Sequence, residues 1–264
     1  MLKTRLISGF ILGLAALLAV WYDQPVPWLT IGAMIWGILA LNEFNKVVRQ
    51  VKAAPFGVIG SLAVALLIVS PHFENSLSSI LTGFATLSLL YLLKPGDRSQ
   101  RFIQWAWTLA GVIYVGLLLS FLVALRGLDA GRDWVLLALG VTVASDSFAY
   151  FVGRAFGKHK MAPTISPAKS WEGAAAGVIA ALIVGLLLKA VFNLPSSFVA
   201  IGLLSVFASI VGQAGDLVES LFKRNMAVKD SSQAIPGHGG LLDRMDSVVF
   251  AVIAVYYYVI IFVQ

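Results

Sequence analysis

The chain has 264 residues, of which 59% are hydrophobic and 12% are charged, and its mean hydropathy is +0.89. Soluble domains are about 45–50% apolar and about 25% charged, so this composition excludes a water-soluble globular protein and indicates an integral membrane protein. The chain has a net charge of +6 and contains no cysteine, which excludes disulfides, cysteine-ligated zinc and a thiol nucleophile.

Apolar stretches recur along the whole chain, and a stretch that crosses a bilayer needs roughly 17–25 residues. The first follows Lys3 and Arg5 and could pass for a signal peptide, but no small-x-small cleavage pattern precedes Asp23, so we predict a retained helix. The sequence therefore predicts an all-α polytopic membrane protein with about nine transmembrane helices. These cover 6–22, 26–44, 55–71, 77–93, 102–125, 134–154, 173–192, 198–222 and 247–263.

The basic residues predict the orientation of these helices. With the N-terminus inside, the inner segments hold 16 of the 19 basic residues, and the outer side keeps only Arg126, Arg132 and Lys189. Cytoplasmic loops are enriched in lysine and arginine, so we predict a cytoplasmic N-terminus and a C-terminus outside. The positive charge then reflects membrane topology, and we expect no nucleic acid partner.

Two inner connections, 155–172 and 223–246, are longer than the others and contain proline, glycine and charged residues. We predict that both are ordered cytoplasmic loops. The chain shows no soluble domain, low-complexity segment or internal repeat. We therefore expect residues 1–101 to form N-terminal transmembrane helices that act as a scaffold or dimer surface. Residues 102–264 should form a C-terminal transmembrane region that carries the chemistry.

The sixth span contains an aspartate, Asp146, in apolar surroundings. An acidic side chain inside a span costs at least ~2.5–3.5 kcal/mol, so it needs a partner or a polar cavity. Asp146, Tyr150 and Gly153 fall at i, i+4 and i+7, on one helical face. Asp146 could pair with a basic residue between helices, or it could belong to a polar substrate site.

The eighth span carries a stripe of opposite charges. Asp216, Glu219 and Lys223 fall at i, i+3 and i+7, and Ser220 lies at i+4 from Asp216. Two glycines within 212–215 remove bulk beside this stripe, so another helix or a ligand could approach closely. The alternative is an internally neutralised stripe in a helix interface.

The stretch KDSSQAIPGHGGLLDRMDS, residues 229–247, concentrates polar residues before the ninth span. Asp243 and Asp246 share a helical face and could simply cap a helix N-terminus, which favours negative charge. Pro236 and three glycines, however, predict a tight turn with exposed backbone N–H groups that can bind an anion. Carboxylates also hold hard cations, so the segment predicts phosphate and metal chemistry. Three further residues add donors: Lys229, His238 and Arg244.

The other inner loop contains SPAKSWEG, residues 166–173. Lys169 and Ser170 could contact a phosphate. Trp171 could instead be an ordinary anchor at the membrane interface. Glu172 could simply favour the start of the seventh span.

Residues 220–246 resemble the signature of the phosphatidate cytidylyltransferase family, the CDP-diacylglycerol synthases. That pattern has Ser, a Lys-Arg pair, four residues, Lys-Asp, a spacer, His-Gly-Gly and Asp-Arg-x-Asp. Here it reads SLFKRNMAVKDSSQAIPGHGGLLDRMD, with every spaced element present. SDSFAYFVGRAFGKHK and ISPAKSWEG also look like the family's bacterial members. The resemblance is specific over about 144–246 and weak over the first hundred residues.

This resemblance implies an enzyme that converts CTP and phosphatidic acid into CDP-diacylglycerol and pyrophosphate with Mg²⁺, in phospholipid biosynthesis. It also implies a homodimer. Because CTP is soluble and cytosolic and the basic loops predict the cytoplasmic side, we expect a protein of the cytoplasmic (inner) membrane with its site facing the cytoplasm. One or two metal ions, and an additional monovalent cation, stay open. The implied catalytic residues are Asp216, Lys223, Asp243 and Asp246, with Asp216, Asp243 and Asp246 as metal acids. With the residues singled out above, the predicted substrate-binding set is Asp146, Lys169, Ser220, Arg224, Lys229, Asp230, His238, Gly239, Gly240 and Arg244.

Three other functions compete with this prediction. A CTP-dependent lipid kinase looks similar around His-Gly-Gly and Asp-Arg-x-Asp, but the full signature favours cytidylyl transfer. A CDP-alcohol phosphotransferase is disfavoured because its spaced Asp-Gly…Asp…Asp pattern is missing from the sequence. A transporter would suit intramembrane acids, but these acids gather toward one side of the membrane and no inverted repeat is visible.

Overall fold

The computed structural model describes residues 2–23, 25–51, 54–94, 97–235 and 239–264, with side chains from residue 9 onward. The chain forms two compact units. The first consists of Met1–Gly127 and Met226–Asp243, and the second of Leu128–Asn225 and Arg244–Gln264. The division at residue 101 made in the sequence analysis stays a prediction. The roles predicted for the two portions stay predictions.

Up to Gly127, the described part of the first unit consists mainly of helices. A π-helical turn, Val112–Leu117, joins its last two helices into one continuous helix, Arg98–Arg126. The side chain of Asp97 caps this helix by accepting hydrogen bonds from the backbone N–H groups of Ser99 and Gln100, at 3.0 and 3.3 Å. The helices are α1 (Leu2–Trp21), α2 (Trp28–Val48), α3 (Gly57–Val69), α4 (Ser76–Tyr91), α5 (Arg98–Gly111) and α6 (Leu118–Arg126).

The second unit packs four helices against one another, and a short hairpin contacts three of them. The residues at its centre include Trp134, Leu137 and Ile201, all fully buried. Two of its helices, Gly131–Phe156 and Trp171–Phe192, follow the macrodipole rule, since each has an acid in the first turn and a base in the last. The elements are α7 (Gly131–Phe156), β1 (Lys160–Ala162), β2 (Ser166–Ser170), α8 (Trp171–Phe192), α9 (Phe198–Asn225) and α10 (Asp246–Phe262).

Apolar helices dominate the described residues, so the chain is a membrane-embedded, nearly all-α protein. Five helices are long and apolar enough to cross a membrane: Trp28–Val51, Arg98–Arg126, Gly131–Phe156, Trp171–Phe192 and Phe198–Asn225. Four shorter apolar helices are Gly9–Trp21, Gly57–His72, Ser76–Tyr91 and Asp246–Phe262. These segments coincide with the apolar stretches of the sequence. The helical class is confirmed, while nine crossings and the direction of the termini stay predictions.

The hairpin in loop 155–172 is a departure from the purely helical prediction. Strands β1 and β2 pair antiparallel, with Lys160 opposite Ser170 and Ala162 opposite Ser166. Two prolines, at 163 and 167, disfavour a helix here because proline lacks the N–H donor. Ser170 then caps α8 by accepting a hydrogen bond from the Gly173 N–H at 3.2 Å.

Candidate active site

Three carboxylates meet in the second unit, where α9 packs against α10. One ligand oxygen each from Asp216, Glu219 and Asp246 lies within 4.8 Å of the other two. Asp216 and Glu219 share a face of α9, and Asp246 is the first residue of α10. Glu219 is 1% exposed and Asp246 9%. Oxygen ligands gathered in this way suit a hard divalent cation such as Mg²⁺.

Gly215 allows the two helices to approach closely enough to form this acid cluster. A methyl group at position 215 would lie 2.5 Å from the backbone oxygen of Asp246 and would also overlap the ring of Phe250. Small residues allow helix backbones to pack closely in membranes. The close neighbour expected beside glycines 212 and 215 is therefore α10.

We expect Gly215→Ala to lower the free energy of unfolding by about 1–3 kcal/mol, because the added methyl group overlaps backbone atoms. Gly202→Ala, on the same helix, is the matched control. Its methyl group would meet only side-chain ends, those of Leu182 at 3.1 Å and Leu186 at 3.6 Å, and alanine favours a helix by roughly 0.5–1 kcal/mol over glycine. Thermal unfolding of both variants in detergent measures the difference. Equal midpoints would contradict this account of the packing.

Two lysines lie against the acid cluster. Lys169 Nζ is 2.7 Å from Asp216 Oδ2, and Lys223 Nζ is 2.6 Å from Glu219 Oε2. Ser220 also donates a hydrogen bond to Asp216 Oδ1 at 3.4 Å. The site therefore combines carboxylates with two ammonium groups, which suits a metal ion together with an anionic substrate.

The hairpin carries Lys169 into this site. Its tip is held by Arg224, whose Nε donates to the backbone oxygen of Ile165 at 3.1 Å. Its base is held by Glu172, which contacts the His159 ring at 2.6 Å. Arg224 was predicted to bind substrate, and in the structure its Nε contacts this loop backbone.

Asp146 is connected to the acid cluster through Ser247. The Ser247 hydroxyl donates to Asp146 Oδ2 at 3.0 Å, and the Ser247 N–H donates to Asp246 Oδ1 at 2.8 Å. Asp146 therefore belongs to the polar network of the site, and it is bound by a hydroxyl group on α10.

In the first unit, Asp243 organises the segment before it, residues 229–242, which we call the glycine-rich loop. Its carboxylate accepts hydrogen bonds from the Ser231 N–H, at 3.1 Å to Oδ2, and from the Gly240 N–H, at 2.8 Å. Gly239 adopts φ +84°, in the left-handed region, and a Cβ there would lie 2.7 Å from Asp243 Oδ2. A side chain at 239 would thus be strained and would crowd this carboxylate.

Glu43 on α2 holds the same loop from the other side. It is 4% exposed. Its Oε2 accepts hydrogen bonds from the Ser231 hydroxyl at 3.0 Å and from the Leu242 N–H at 2.9 Å. Its Oε1 accepts one from the Ser232 hydroxyl at 2.6 Å. A residue almost 190 positions earlier in the chain therefore fixes the shape of this loop.

The structure places the predicted residues in two groups, one in each unit. In the second unit, the acid cluster and its neighbours bring together Asp146, Lys169, Asp216, Ser220, Lys223 and Asp246, while Arg224 and Arg244 are exposed. In the first unit, Lys229 and Asp230 are exposed beside the ordered residues Gly239, Gly240 and Asp243. Pro236 and His238, predicted for the turn and for phosphate binding, lie outside the described residues.

Sequence reasoning missed two acidic residues as site members. Glu219 was recognised in the charged stripe but was omitted from the metal acids, although its spacing from Asp216 already placed it on that face. Glu43 was not singled out. The signal was available, because Glu43 lies within the predicted span 26–44, where an acid needs a polar partner.

Comparison with known proteins gives consistent similarities over almost the whole chain. A model of the cytidylyltransferase family matches residues 3–262. The phosphatidate cytidylyltransferase of Bacillus subtilis (strain 168) is 32% identical over 267 residues, covering 99% of this chain and 98% of that protein. That of Staphylococcus haemolyticus (strain JCSC1435) is 35% identical over 83% of this chain and 84% of its own length. That of Brucella abortus biovar 1 (strain 9-941) is 33% identical over 100% and 95%.

Proposed function

The chain belongs to the cytidylyltransferase family, and from this premise we propose that it converts CTP and phosphatidate into CDP-diacylglycerol and pyrophosphate. Near full-length similarity to relatives named phosphatidate cytidylyltransferase supports this activity. The structural observation that carries it is the acid cluster of Asp216, Glu219 and Asp246 with Lys169 and Lys223 beside it. Such a site meets the main difficulty of the reaction, which is the repulsion between two anionic substrates.

In the proposed reaction, an oxygen of the lipid phosphate attacks the α-phosphorus of CTP. One P–O bond forms to the lipid phosphate, and the bond to the pyrophosphate oxygen breaks with its electron pair. A phosphate monoester is already largely ionised near neutral pH, since its second pKa is about 6, so no protein base is needed. Catalysis therefore rests on positioning and on stabilisation of negative charge.

The carboxylates of Asp216, Glu219 and Asp246 fit Mg²⁺, because they supply three oxygen donors within 4.8 Å of one another. We propose that these residues hold the metal. Bound Mg²⁺ would neutralise phosphate charge and help to orient the reacting groups. Asp243 as a metal acid, the use of one or two ions, and an additional monovalent cation stay predictions.

We propose that Lys169 and Lys223 bind the phosphates of the substrates. The ion pairs with Asp216 and Glu219 hold both ammonium groups in the site and fix their positions. Ser220 positions Asp216 through its hydrogen bond. Arg244, which is exposed at the start of the second unit's last segment, would add a further cation for the triphosphate.

We further propose that the chain crosses the inner membrane nine times, with the N-terminus and the site on the cytoplasmic side, and acts as a homodimer. The distribution of basic residues supports the orientation, since 16 of 19 fall in the inner segments of a nine-span topology. In this arrangement CTP enters from water, while phosphatidate reaches the site with its acyl chains still in the bilayer.

Transfer of a radioactive label tests the proposed activity. Purified protein is incubated with phosphatidate, Mg²⁺ and CTP labelled at either the α- or the γ-phosphorus. We expect the α label to enter the lipid and the γ label to leave as pyrophosphate. Transfer of the γ label to an added lipid alcohol would instead identify a lipid kinase. No transfer by folded protein, together with substrate uptake into proteoliposomes, would favour a transporter.

A further inference from the structure

A groove of about 870 Å³ runs along α9 and α10 in the second unit. Its walls are mainly apolar, with Ala200, Phe207 and Val211 on α9 and Phe250 and Ala254 on α10. Ligand pockets commonly have volumes of about 300–1,000 Å³. Lipid tails are as apolar as leucine side chains, however, so an apolar surface in a membrane protein does not by itself identify a binding site.

The position of the groove relative to the acid cluster provides a second observation. Val211 lies one helical turn before Gly215 on α9, and Phe250 lies one turn after Asp246 on α10. The Phe250 ring packs directly beside Gly215, since a methyl group there would overlap it. The groove and the acid cluster are therefore successive parts of the same interface between α9 and α10.

The groove also has the length of an acyl chain whose phosphate lies at the cluster. With a rise of 1.5 Å per helical residue, Val211 lies about 8 Å along α9 from Asp216, and Ala200 lies about 24 Å from it. The groove thus spans about 16 Å along the helix, and one leaflet of the hydrocarbon core is about 15 Å thick. The interval between Asp216 and Val211 leaves room for the glycerol that joins a phosphate to its acyl chains.

We infer that this groove holds one acyl chain of phosphatidate while the lipid phosphate lies at the acid cluster. The inference rests on the proposed function, which makes phosphatidate a substrate. The two parts of the interface match the two parts of this lipid. Lys169 and Lys223 present ammonium groups for the phosphate, and the groove presents apolar walls for the hydrocarbon chain.

The groove would act by positioning the lipid. A chain that leaves the bilayer for the groove exchanges one apolar environment for another, so little binding energy comes from water. Confinement of the chain instead restricts where the attached phosphate can lie, which favours its reaction. The hydrogen-bonded hydroxyl groups of Ser196 and Tyr258 line the far end of the groove. We therefore expect the length of the acyl chain to matter.

Turnover of two phosphatidates by the purified full chain tests the inference. Ala200→Trp fills the far end of the groove. We expect it to lower kcat/KM for dioleoyl phosphatidate about tenfold, because small changes of volume in an apolar pocket have effects of this size. The value for dioctanoyl phosphatidate should stay nearly unchanged, since its chains are less than half as long. The KM for CTP should also stay unchanged.

Val199→Trp is the matched control. It adds the same side chain to the same helix, at an exposed position outside the groove, and should change neither lipid. Ala254→Phe, which narrows the groove from α10, keeps the test valid if Ala200→Trp does not fold. Equal effects of the Ala200 and Val199 variants on dioleoyl phosphatidate would overturn the inference.

Photolabelling separates the substrate from the bulk lipid. The protein in phosphatidylcholine vesicles receives either phosphatidate or phosphatidylcholine that carries a diazirine near the end of one acyl chain. We expect phosphatidate to label the groove residues of α9 and α10 more strongly than phosphatidylcholine does, and unlabelled dioleoyl phosphatidate to compete. Equal labelling by both lipids would show an ordinary lipid-facing surface, and protection from both would indicate a second copy of the chain. Either result would overturn the inference, whereas specific labelling without formation of CDP-diacylglycerol would refute only the proposed function.

Discussion

Asp216→Asn is expected to reduce the formation of CDP-diacylglycerol at least ~100-fold while the protein stays folded and inserted in the membrane. Asparagine keeps the shape of the side chain but removes the negative charge that Asp216 contributes to the acid cluster with Glu219 and Asp246. Removing one preorganised electrostatic group from an active site commonly costs ~10²–10³ in rate. The measurement is the initial rate at saturating CTP and phosphatidate over a range of Mg²⁺ concentrations.

Stability should change little in this variant. The Asp216 side chain is 31% accessible, and asparagine keeps an oxygen that can still accept a hydrogen bond from the buried Lys169 ammonium group. Asp129→Asn is the matched control, because Asp129 is an exposed acid of the same unit outside the cluster. Near-normal turnover of Asp216→Asn at saturating Mg²⁺ would contradict the role of Asp216 in holding the metal.

Glu43→Ala is expected to lower the free energy of unfolding by about 3 kcal/mol or more and to abolish most activity. The change removes the shared acceptor of the Ser231 hydroxyl, the Ser232 hydroxyl and the Leu242 N–H. A buried donor left without its partner costs about 1–3 kcal/mol. Without Glu43 the glycine-rich loop loses these three hydrogen bonds to α2 and keeps the one from the Trp36 indole N–H to the Leu241 oxygen, at 2.9 Å.

Hydrogen exchange localises the effect of this change. We expect faster exchange of the Leu242 amide and its neighbours in the loop in Glu43→Ala, together with a lower midpoint of thermal unfolding in detergent. Glu74→Ala, which removes an exposed acid from the same unit, should leave both unchanged. Normal activity and unchanged exchange in Glu43→Ala would show that the loop keeps its shape without the Glu43 carboxylate.

These two variants separate chemistry from loop architecture. Asp216→Asn should keep the unfolding midpoint and lose turnover, because its carboxylate lies in a partly accessible polar site. Glu43→Ala should lose both, because its carboxylate is a buried structural acceptor. The contrast follows from burial, since Glu43 is 4% exposed whereas the Asp216 side chain is 31% exposed.

The membrane class, the helical elements and the family could all be predicted from the amino-acid sequence. Apolar stretches of sufficient length leave few alternatives in a bilayer, because backbone polar groups there must be satisfied within the segment. Helical spacing also placed Asp216, Glu219 and Lys223 on one face. The signature from Ser220 to Asp246 indicated cytidylyl transfer, and the matched family and relatives agree with it.

Which polar groups contact one another could not be predicted from the sequence, because it depends on helix packing. Gly215 admits α10 and thereby brings Asp246 to Asp216 and Glu219, and the hairpin brings in Lys169. Asp243, only three residues before Asp246, instead accepts hydrogen bonds from loop N–H groups in the first unit. Glu43 reaches the same loop from α2. Helical periodicity in the sequence identifies residues that share one face of the same helix. The contacts described above join segments far apart in the chain, so they depend on how the helices pack.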